Sequence, residues 1–122
     1  EGLNKLFGTP VLASGKVLER IQGNDLQQRY LGAFILKGKH KSVEVYGIRA
    51  VEDTPPIECW SPDFDRAVNA YFSGNFSEAG ELFSLLGNAY PHDRAVQWYL
   101  RRCRERREHP APWEGVERMN EK

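Results

Sequence analysis

The clearest hydrophobic pattern lies in the second half of the chain. Apolar residues recur there at spacings of three and four positions, the repeat of a helix that buries one face: Phe64, Ala67, Val68, Tyr71 and Phe72. Ser61 precedes Pro62 and Asp63, and this order suits a helix start, because a serine oxygen can accept a first-turn amide and proline fits the first turn. The pattern predicts a helix that begins near residue 62.

Two more helices are predicted behind the first. Gly74 and Asn75 predict a turn, after which the second helix shows one apolar face and ends before Tyr90-Pro91: Phe76, Ala79, Phe83 and Leu86. Asp93 is suited to cap a third helix, whose apolar positions follow the same spacing: Ala95, Val96, Tyr99, Leu100 and Cys103. The sequence His-Pro-Ala-Pro at residues 109–112 ends that helix, and no hydrophobic period follows it.

The first half of the chain predicts strands as well as a helix. Residues 10–13 form a short apolar run typical of a buried strand, and Ser14 can cap a helix whose apolar positions are Val17, Leu18 and Ile21. Residues 29–36 are rich in aromatic and branched side chains, and residues 42–50 begin with alternating polarity, so both predict strands. The tight turn at residues 37–40 joins these strands into an antiparallel hairpin.

The predicted elements place the chain in the α+β class. Residues 1–51 hold the short strand, the helix and the hairpin, which together make a partial sheet. Residues 52–61 are predicted to be a linker, because Pro55-Pro56 can continue neither a central strand nor a helix. The helical hairpin with its capping helix follows at residues 62–109, and residues 110–122 form a tail.

The composition excludes several classes of function. The chain has 122 residues with 17 basic and 17 acidic side chains, and its zero net charge gives no attraction to nucleic acid or to an anionic membrane. It contains no apolar run long enough to cross a membrane and no signal-peptide pattern. Cys59 and Cys103 are far apart and not in metal-ligand spacing, so we expect two reduced thiols, with a disulfide as the alternative.

The spacing of small and aromatic residues in the helical part resembles a tetratricopeptide repeat. The positions that carry the resemblance are Ala67, Tyr71, Gly74, Phe76, Ala79, Phe83 and Pro91. In such repeats small residues let two antiparallel helices approach closely, and a proline ends the second helix. One repeat cannot form the concave surface of a stacked array, so the resemblance implies a packing or dimer-contact role, with peptide capture as the alternative.

The sequence Arg-Arg-Cys-Arg-Glu-Arg-Arg at residues 101–107 is a basic cluster at the end of the third predicted helix. We expect solvated side chains there, whose positive charge suits the negative end of the helix dipole. Binding of an acidic partner or of nucleic acid is the alternative. No aromatic platform for stacking nucleic-acid bases is interleaved with the run.

Three short sequences in the first half resemble the C-terminal part of a class III adenylate/guanylate cyclase domain. Residues 1–14 (EGLNKLFGTPVLAS) resemble the segment that leaves the catalytic helix, and residues 29–39 (RYLGAFILKGK) match the family's pattern of Arg, Leu-Gly, an apolar pair and Lys-Gly-Lys. Residues 43–46 (VEVY) match its closing strand. In the tail, Trp-x-Gly-Val at residues 113–116 and Glu-Lys at residues 121–122 are similar to the ending of many bacterial members.

The resemblance implies a substrate-binding role for one residue of this chain. Family members use two aspartates to hold two Mg²⁺ or Mn²⁺ ions, and an asparagine and an arginine to stabilise the transition state. In the family's order these residues lie upstream of Glu1. The lysine that contacts the terminal phosphates of the nucleotide corresponds to Lys37, whose flexible ammonium stands beside a glycine. Lys39 and His40 are expected to be turn residues.

These resemblances define the expected function. The chain would be the C-terminal fragment of an adenylate cyclase, which converts ATP to cyclic AMP and pyrophosphate in signal transduction. It would bind no metal or other cofactor and be inactive alone, because two-metal chemistry needs the missing aspartates and nothing places Glu1, Asp25 and Asp53 together. The opening residues resemble the last turn of a helix, so we expect a piece of a longer cytoplasmic protein with room upstream for a membrane anchor.

Two other interpretations stay open. The chain can be a protein-interaction or dimerisation module built on the helical unit, or an unrelated single-domain enzyme. No Ser/His/Asp, Cys/His or metal-ligand constellation in the sequence supports the enzyme. Apolar strand edges in residues 1–51 favour a homodimer, and we expect the helical unit to fold independently of that part.

Overall fold

The computed structural model describes residues 6–8, 11–13, 26–36, 38–50 and 56–119 of the chain. In chain order the described elements are β1 (Val11–Ala13), β2 (Leu26–Ile35), β3 (Ser42–Ala50), α1 (Pro62–Phe72), α2 (Phe76–Ala89), α3 (Arg94–Glu108) and β4 (Glu117–Arg118). This mixture of strands and helices confirms the α+β class. The helix predicted behind Ser14 lies outside the described residues.

The four described strands form one sheet in the order β1-β3-β2-β4. β2 and β3 are antiparallel, with Leu26 opposite Ala50 and Ile35 opposite Ser42, so the predicted hairpin is confirmed. β2 begins at Leu26, before the aromatic-rich run that starts at Arg29. Its first residues are mostly polar, and their backbone pairing with β3 makes them part of the strand.

The two outer strands are short. β1 lies antiparallel to β3, with Val11 opposite Gly47. β4 lies parallel to the end of β2, and the amide of Met119 donates to the carbonyl of Ile35 at 2.9 Å. The sequence predicts no strand in the tail, because two residues are too few to show a period. The position of β4 is supported by side-chain contacts of Trp113 and of Glu117, the first residue of β4 itself.

A β-bulge interrupts the hairpin at Leu31. The register of β2 against β3 shifts between Tyr30 and Gly32, so Leu31 is the extra residue, and the Tyr99 hydroxyl donates to its carbonyl. Gly32 has a φ of 131°, and a Cβ there would lie 2.5 Å from the Phe72 ring and 2.6 Å from the Tyr99 hydroxyl oxygen. Only glycine therefore lets the helices pack this closely on β2.

Local signals define the helix ends as the sequence predicts. Ser61 caps α1 and Asp93 caps α3, and each side chain accepts a hydrogen bond from a first-turn amide. Gly74, with a φ of 86°, lies in the turn between α1 and α2, and Asn75 caps α2. A left-handed backbone at the end of a helix favours glycine, which has no Cβ to clash.

The helices and the sheet share one hydrophobic core. Phe34 of β2 contacts Phe72 of α1 and Trp98 of α3, with 6.2 Å between the ring centroids in each pair. Buried residues of β2, of β3 and of all three described helices belong to a single cluster. The expectation that the helical unit folds independently is therefore wrong, because each layer buries apolar area against the other.

The last part of the predicted linker packs against this core. Ile57 is exposed, but Cys59 is buried and Trp60 is half-buried. The first residues of the predicted linker at residues 52–61 lie outside the described part of the chain. Its last residues are not a free linker, because they are hydrogen-bonded to other elements. Hydrogen bonds from and to Cys59 reach both β2 and the start of α3.

Candidate functional site

The tip of the β2–β3 hairpin is where the sequence predicts contact with a nucleotide. Lys37 itself lies outside the described residues. Its neighbours close a tight turn, in which the amide of Lys39 donates to the carbonyl of Leu36 at 2.9 Å and Gly38 has a φ of 81°. A Cβ on Gly38 would meet nothing within 4 Å, so this part of the described turn is open to solvent.

The described side chains of this tip are basic. Lys39, His40 and Lys41 are exposed, which agrees with the expectation that Lys39 and His40 are turn residues. Ammonium groups on an open turn attract a polyphosphate without fixing its orientation. Any precise placement of a nucleotide would therefore need further groups besides those of this turn.

The positions that resemble a tetratricopeptide repeat form the packing between the helices. Four of them are buried: Ala67, Tyr71, Ala79 and Phe83. Phe83 stacks on Tyr99 with 4.9 Å between the centroids and 8° between the ring planes, and Phe76 is half-buried against the same core. Gly74 and Pro91 lie in turns, and Pro91 is exposed. The contacts of these residues are those of a core and not of a binding surface.

A buried ion pair that the sequence did not predict joins the sheet to α3. Arg29 is 1% exposed and Asp93 is 0% exposed. Nη1 and Nη2 of Arg29 donate to Oδ2 and Oδ1 of Asp93 at 2.7 Å and 3.0 Å, a bidentate arrangement. Nη1 also donates to the carbonyl of Cys59 at 2.9 Å, and the amide of Cys59 donates to Oδ2 of Asp93 at 2.9 Å. One pair thus connects β2, the segment before α1 and α3.

Aromatic rings enclose the Arg29 guanidinium. Its Cζ lies 4.1 Å from the centroid of the Phe64 ring and 4.9 Å from that of Trp60. Such cation–π contacts strengthen where water is excluded. Nε of Arg29 has no hydrogen-bond partner among the described residues, so the two Nη atoms make its polar contacts. Because the pair is covered by protein, we assign it to the fold and not to ligand binding.

A second buried acid, Glu117, holds the tail against the helices. It is 2% exposed. Its Oε1 accepts from the Tyr71 hydroxyl at 2.8 Å and from Nη2 of Arg106 at 3.0 Å, and its Oε2 accepts from Nη2 of Arg102. Nε of Arg106 in turn donates to the Tyr71 hydroxyl at 3.1 Å. This network places β4 beside β2.

The basic cluster at residues 101–107 therefore has two sides. Arg102 and Arg106 lie one turn apart on α3 and turn inward to Glu117, so the expectation of a fully solvated cluster is wrong for these two. The others are exposed, as expected: Arg101, Arg104 and Arg107. Arg102 and Arg106 are four positions apart, so a helix places them on the same face. This spacing is the sequence signal that both could bind one acid.

Trp113 attaches the same tail at a second point. Its Nε1 donates to the carbonyl of Phe72, at the end of α1, at 3.1 Å. The Cζ of Arg106 lies 4.4 Å from the centroid of the indole. A Cβ on Gly74 would lie 3.3 Å from Cδ1 of Trp113. Gly74, which the sequence analysis singled out as a turn residue, thus also leaves room for the tail.

Burial controls the ionisation of side chains around these contacts. Burial, together with the charge of Glu117, raises the pKa of Tyr71 above its ordinary value, so its hydroxyl stays a hydrogen-bond donor. Burial raises the pKa of Cys103 to about 11, so this thiol is not a nucleophilic thiolate at neutral pH. Cys59 and Cys103 are both free, as the reduced-thiol prediction expects.

Neither a metal centre nor a membrane span is found in the part of the chain that the structure describes. No three His, Cys, Asp or Glu side chains of that part are grouped so that they could hold a metal ion. None of its helices is long and apolar enough to cross a membrane.

Comparison of the chain with protein-family models, with curated proteins and with solved structures finds no match.

Proposed function

We propose that this chain is the C-terminal fragment of a class III adenylate cyclase, carrying a tetratricopeptide-like helical tail. The observation that supports the proposal best is the β2–β3 hairpin. The sequence that resembles the family runs along β2 and ends in the hairpin turn. Within that sequence, the ion pair uses Arg29 and the bulge uses Leu31 and Gly32. Gly38 and Lys39, the described part of Lys-Gly-Lys, lie in the open turn at its end.

In this proposal Lys37 contacts the terminal phosphates of ATP in the intact enzyme. The reaction forms a bond between the ribose 3′ oxygen and the α-phosphorus and breaks the bond to the β-phosphate, so negative charge develops on the departing pyrophosphate. A lysine ammonium near that group stabilises the charge. The metal ions supply further neutralisation and are held by residues outside this chain.

The proposal makes the chain inactive by itself and active within a longer cytoplasmic protein that works as a homodimer. The helical layer then fixes one end of β2 through Arg29, while the other end reaches the substrate. The described helices and the hairpin share one hydrophobic core.

The test is cyclic AMP formation from ATP with Mn²⁺ or Mg²⁺. It is run on this chain and on a version extended upstream through the whole catalytic domain. We expect activity in the extended protein alone. In that protein, Lys37→Ala should raise KM for ATP and lower kcat/KM by about 10-fold to 100-fold. This change corresponds to about 1.4–2.7 kcal/mol of lost transition-state stabilisation.

Lys39→Ala is the matched control, because Lys39 lies in the same turn and is exposed. Its activity should stay within about twofold of the parent protein. Activity of the short chain would show that the catalytic residues are not upstream. An extended protein without activity, or one in which both substitutions have the same small effect, would remove the basis for the proposal.

The second candidate function is a protein-interaction module. The observation that favours it is a groove between α2 and α3 that is lined by exposed arginines. It needs neither a nucleotide nor a metal ion, and it remains open whatever the cyclase assay shows.

A further inference from the structure

A groove of about 460 Å³ lies between α2 and α3. Gly80 and Ser84 line it on α2, and Leu100, Cys103, Arg104 and Arg107 line it on α3. The two helices run antiparallel, so Gly80 near the start of α2 faces the end of α3 and Gly87 faces Leu100. We refer to this feature as the α2–α3 groove. It contains both apolar and charged groups, which is the mixture that a peptide-binding surface needs.

Gly80 gives the groove its depth. A glycine inside a helix costs about 0.5–1 kcal/mol relative to alanine, so its presence calls for a reason in the packing. A Cβ at this position would lie 3.0 Å from Nη1 of Arg107 and 3.8 Å from Cβ of Cys103. Without the side chain, the Arg107 guanidinium has room to lie over α2. The Arg107 guanidinium therefore lies against the α2 side of the groove.

The α2–α3 groove carries unneutralised positive charge. Arg104 and Arg107 form no ion pair with any acid in the described part of the chain. Glu108 is the one acid in the lining, and exposed Arg101 stands one turn before Arg104. The negative dipole at the end of α3 is offset by the positive start of α2 beside it. With two arginines and one glutamate, the lining carries a net positive charge, which favours an anion.

We propose that the α2–α3 groove binds an acidic peptide segment of a protein partner. Its carboxylates pair with Arg104 and Arg107, since the two parallel N–H groups of a guanidinium match a carboxylate. An apolar side chain of the same segment packs on Leu100. Nucleic acid fits less well, because the chain has zero net charge and the groove lining contains no aromatic ring for base stacking. The proposal is independent of the cyclase activity.

The experiment measures fluorescence polarisation of a labelled peptide of glutamate, alanine and leucine with the whole chain. We expect saturable binding that weakens as NaCl is raised. Arg104→Glu combined with Arg107→Glu should weaken binding by about tenfold or more, because like charges then face each other. Ser84→Trp, which fills the groove from an exposed position without changing the charge, should weaken it by a similar factor.

Matched variants separate the groove from general charge. Arg66→Glu reverses one exposed arginine on α1 and is compared with Arg104→Glu alone, which makes the same change of two charges in the groove. Ser77→Trp adds the same bulk as Ser84→Trp at an exposed position of α2 outside the lining. Both Arg66→Glu and Ser77→Trp should bind the peptide normally. Equal weakening by Arg66→Glu would overturn the proposal, because attraction would then be diffuse. The proposal would also be overturned if the peptide did not bind, or if oligo(dT) bound more tightly than the peptide. A third contrary result would be light scattering in which the parent chain is a dimer and Ser84→Trp is a monomer, because the groove would then be a dimer contact. Circular dichroism confirms that each variant is folded.

Discussion

Asp93 shows, at the scale of single residues, how one carboxylate serves several parts of the chain. Its Oδ1 accepts hydrogen bonds from the amides of Ala95 and Val96 in the first turn of α3, and its Oδ2 accepts from the amide of Cys59. Both oxygens also bind Arg29. The charge is thus balanced by the guanidinium and by the positive end of the helix, which makes burial of an acid tolerable.

Replacing Asp93 removes all of these contacts together. We expect Asp93→Ala to lower the free energy of unfolding by about 3–5 kcal/mol, because Arg29 would be left as a buried charge without a partner and α3 would lose its cap. Urea unfolding followed by circular dichroism measures the change.

Asp63→Ala is the control for this prediction. Asp63 also stands in the first turn of a helix and also pairs with an arginine, Arg66, at 3.2 Å, but both side chains are more than half exposed. Exposed pairs contribute about 0–1 kcal/mol, so the loss should be at most about 1 kcal/mol. If the two variants lost the same free energy of unfolding, burial of the pair between Arg29 and Asp93 would not increase its contribution to stability.

At the scale of elements, the tail is held by side-chain contacts more than by the backbone hydrogen bonds of its short strand. Trp113 binds the end of α1 and Glu117 binds α3, and together they carry β4 to the edge of β2. A strand of two residues makes too few hydrogen bonds to hold its own position. The buried acid is therefore the main support of this sheet edge.

Glu117→Gln tests that dependence. Glutamine keeps the shape of the side chain but removes the charge that faces Arg102 and Arg106. We expect the free energy of unfolding to fall by about 1–3 kcal/mol, less than for Asp93→Ala, because the two arginines are partly exposed and can turn to water. Hydrogen exchange should become faster at the amide of Met119, which mass spectrometry or NMR detects.

Glu114→Gln is the matched control in the same tail. Glu114 pairs with Arg118, and the two side chains are 51% and 54% exposed. We expect a smaller loss of stability than for Glu117→Gln and no change in exchange at Met119, because solvent screens this pair. If Glu117→Gln also left that exchange unchanged, β4 would be held without help from the buried acid.

The sequence predicts the helical half well because its signals are local. Ser61 and Asp93 directly precede the helices that they cap, and Gly74 lies in the turn that it predicts. The hairpin is predicted for the same reason, since its two strands flank a short turn. Lys37 is different: the sequence points to it through a family resemblance, and its position lies outside the described residues.

The long-range contacts could not be predicted. Arg29 and Asp93 are separated by 64 positions, and neither residue belongs to a periodic apolar pattern. The sequence predicts that Asp93 caps a helix, but this role does not indicate that the same carboxylate also binds Arg29. Glu117 follows a tail motif without any period, and only the arginine spacing on α3 indicates that an acid is needed there. Such pairs depend on how elements pack, which local patterns do not encode.

At the scale of the whole molecule, tyrosine ionisation links stability to alkaline pH. Burial is the main cause that raises the pKa values of Tyr71 and Tyr99 above the ordinary 10.0, and with nearby charges it raises the pKa of Tyr30 to about 12. The folded chain thus keeps protons at pH values at which the unfolded chain has released them. This stabilisation is complete below pH 10 and is lost as pH rises towards the folded-state values.

We expect the free energy of unfolding to fall steadily above about pH 10, by up to about 1.4 kcal/mol per pH unit for each buried tyrosine. Tyr71→Phe should make this slope shallower, because one titrating group is removed. The measurement combines urea unfolding at several pH values with tyrosinate absorbance. Tyrosinate absorbance from Tyr71 or Tyr99 near pH 10, with the circular dichroism signal intact, would contradict the prediction.

We expect the ion pair between Arg29 and Asp93 to form late in folding. The two residues are 64 positions apart, so closing this loop costs more chain entropy than closing the hairpin or the α1–α2 turn. The hairpin and the helix pair, whose contacts are local, form early, while the Arg29 guanidinium stays hydrated. Its desolvation becomes favourable when α3 brings Asp93 to it. We therefore expect the core shared by the sheet and the helices to close last, when α3 packs against β2.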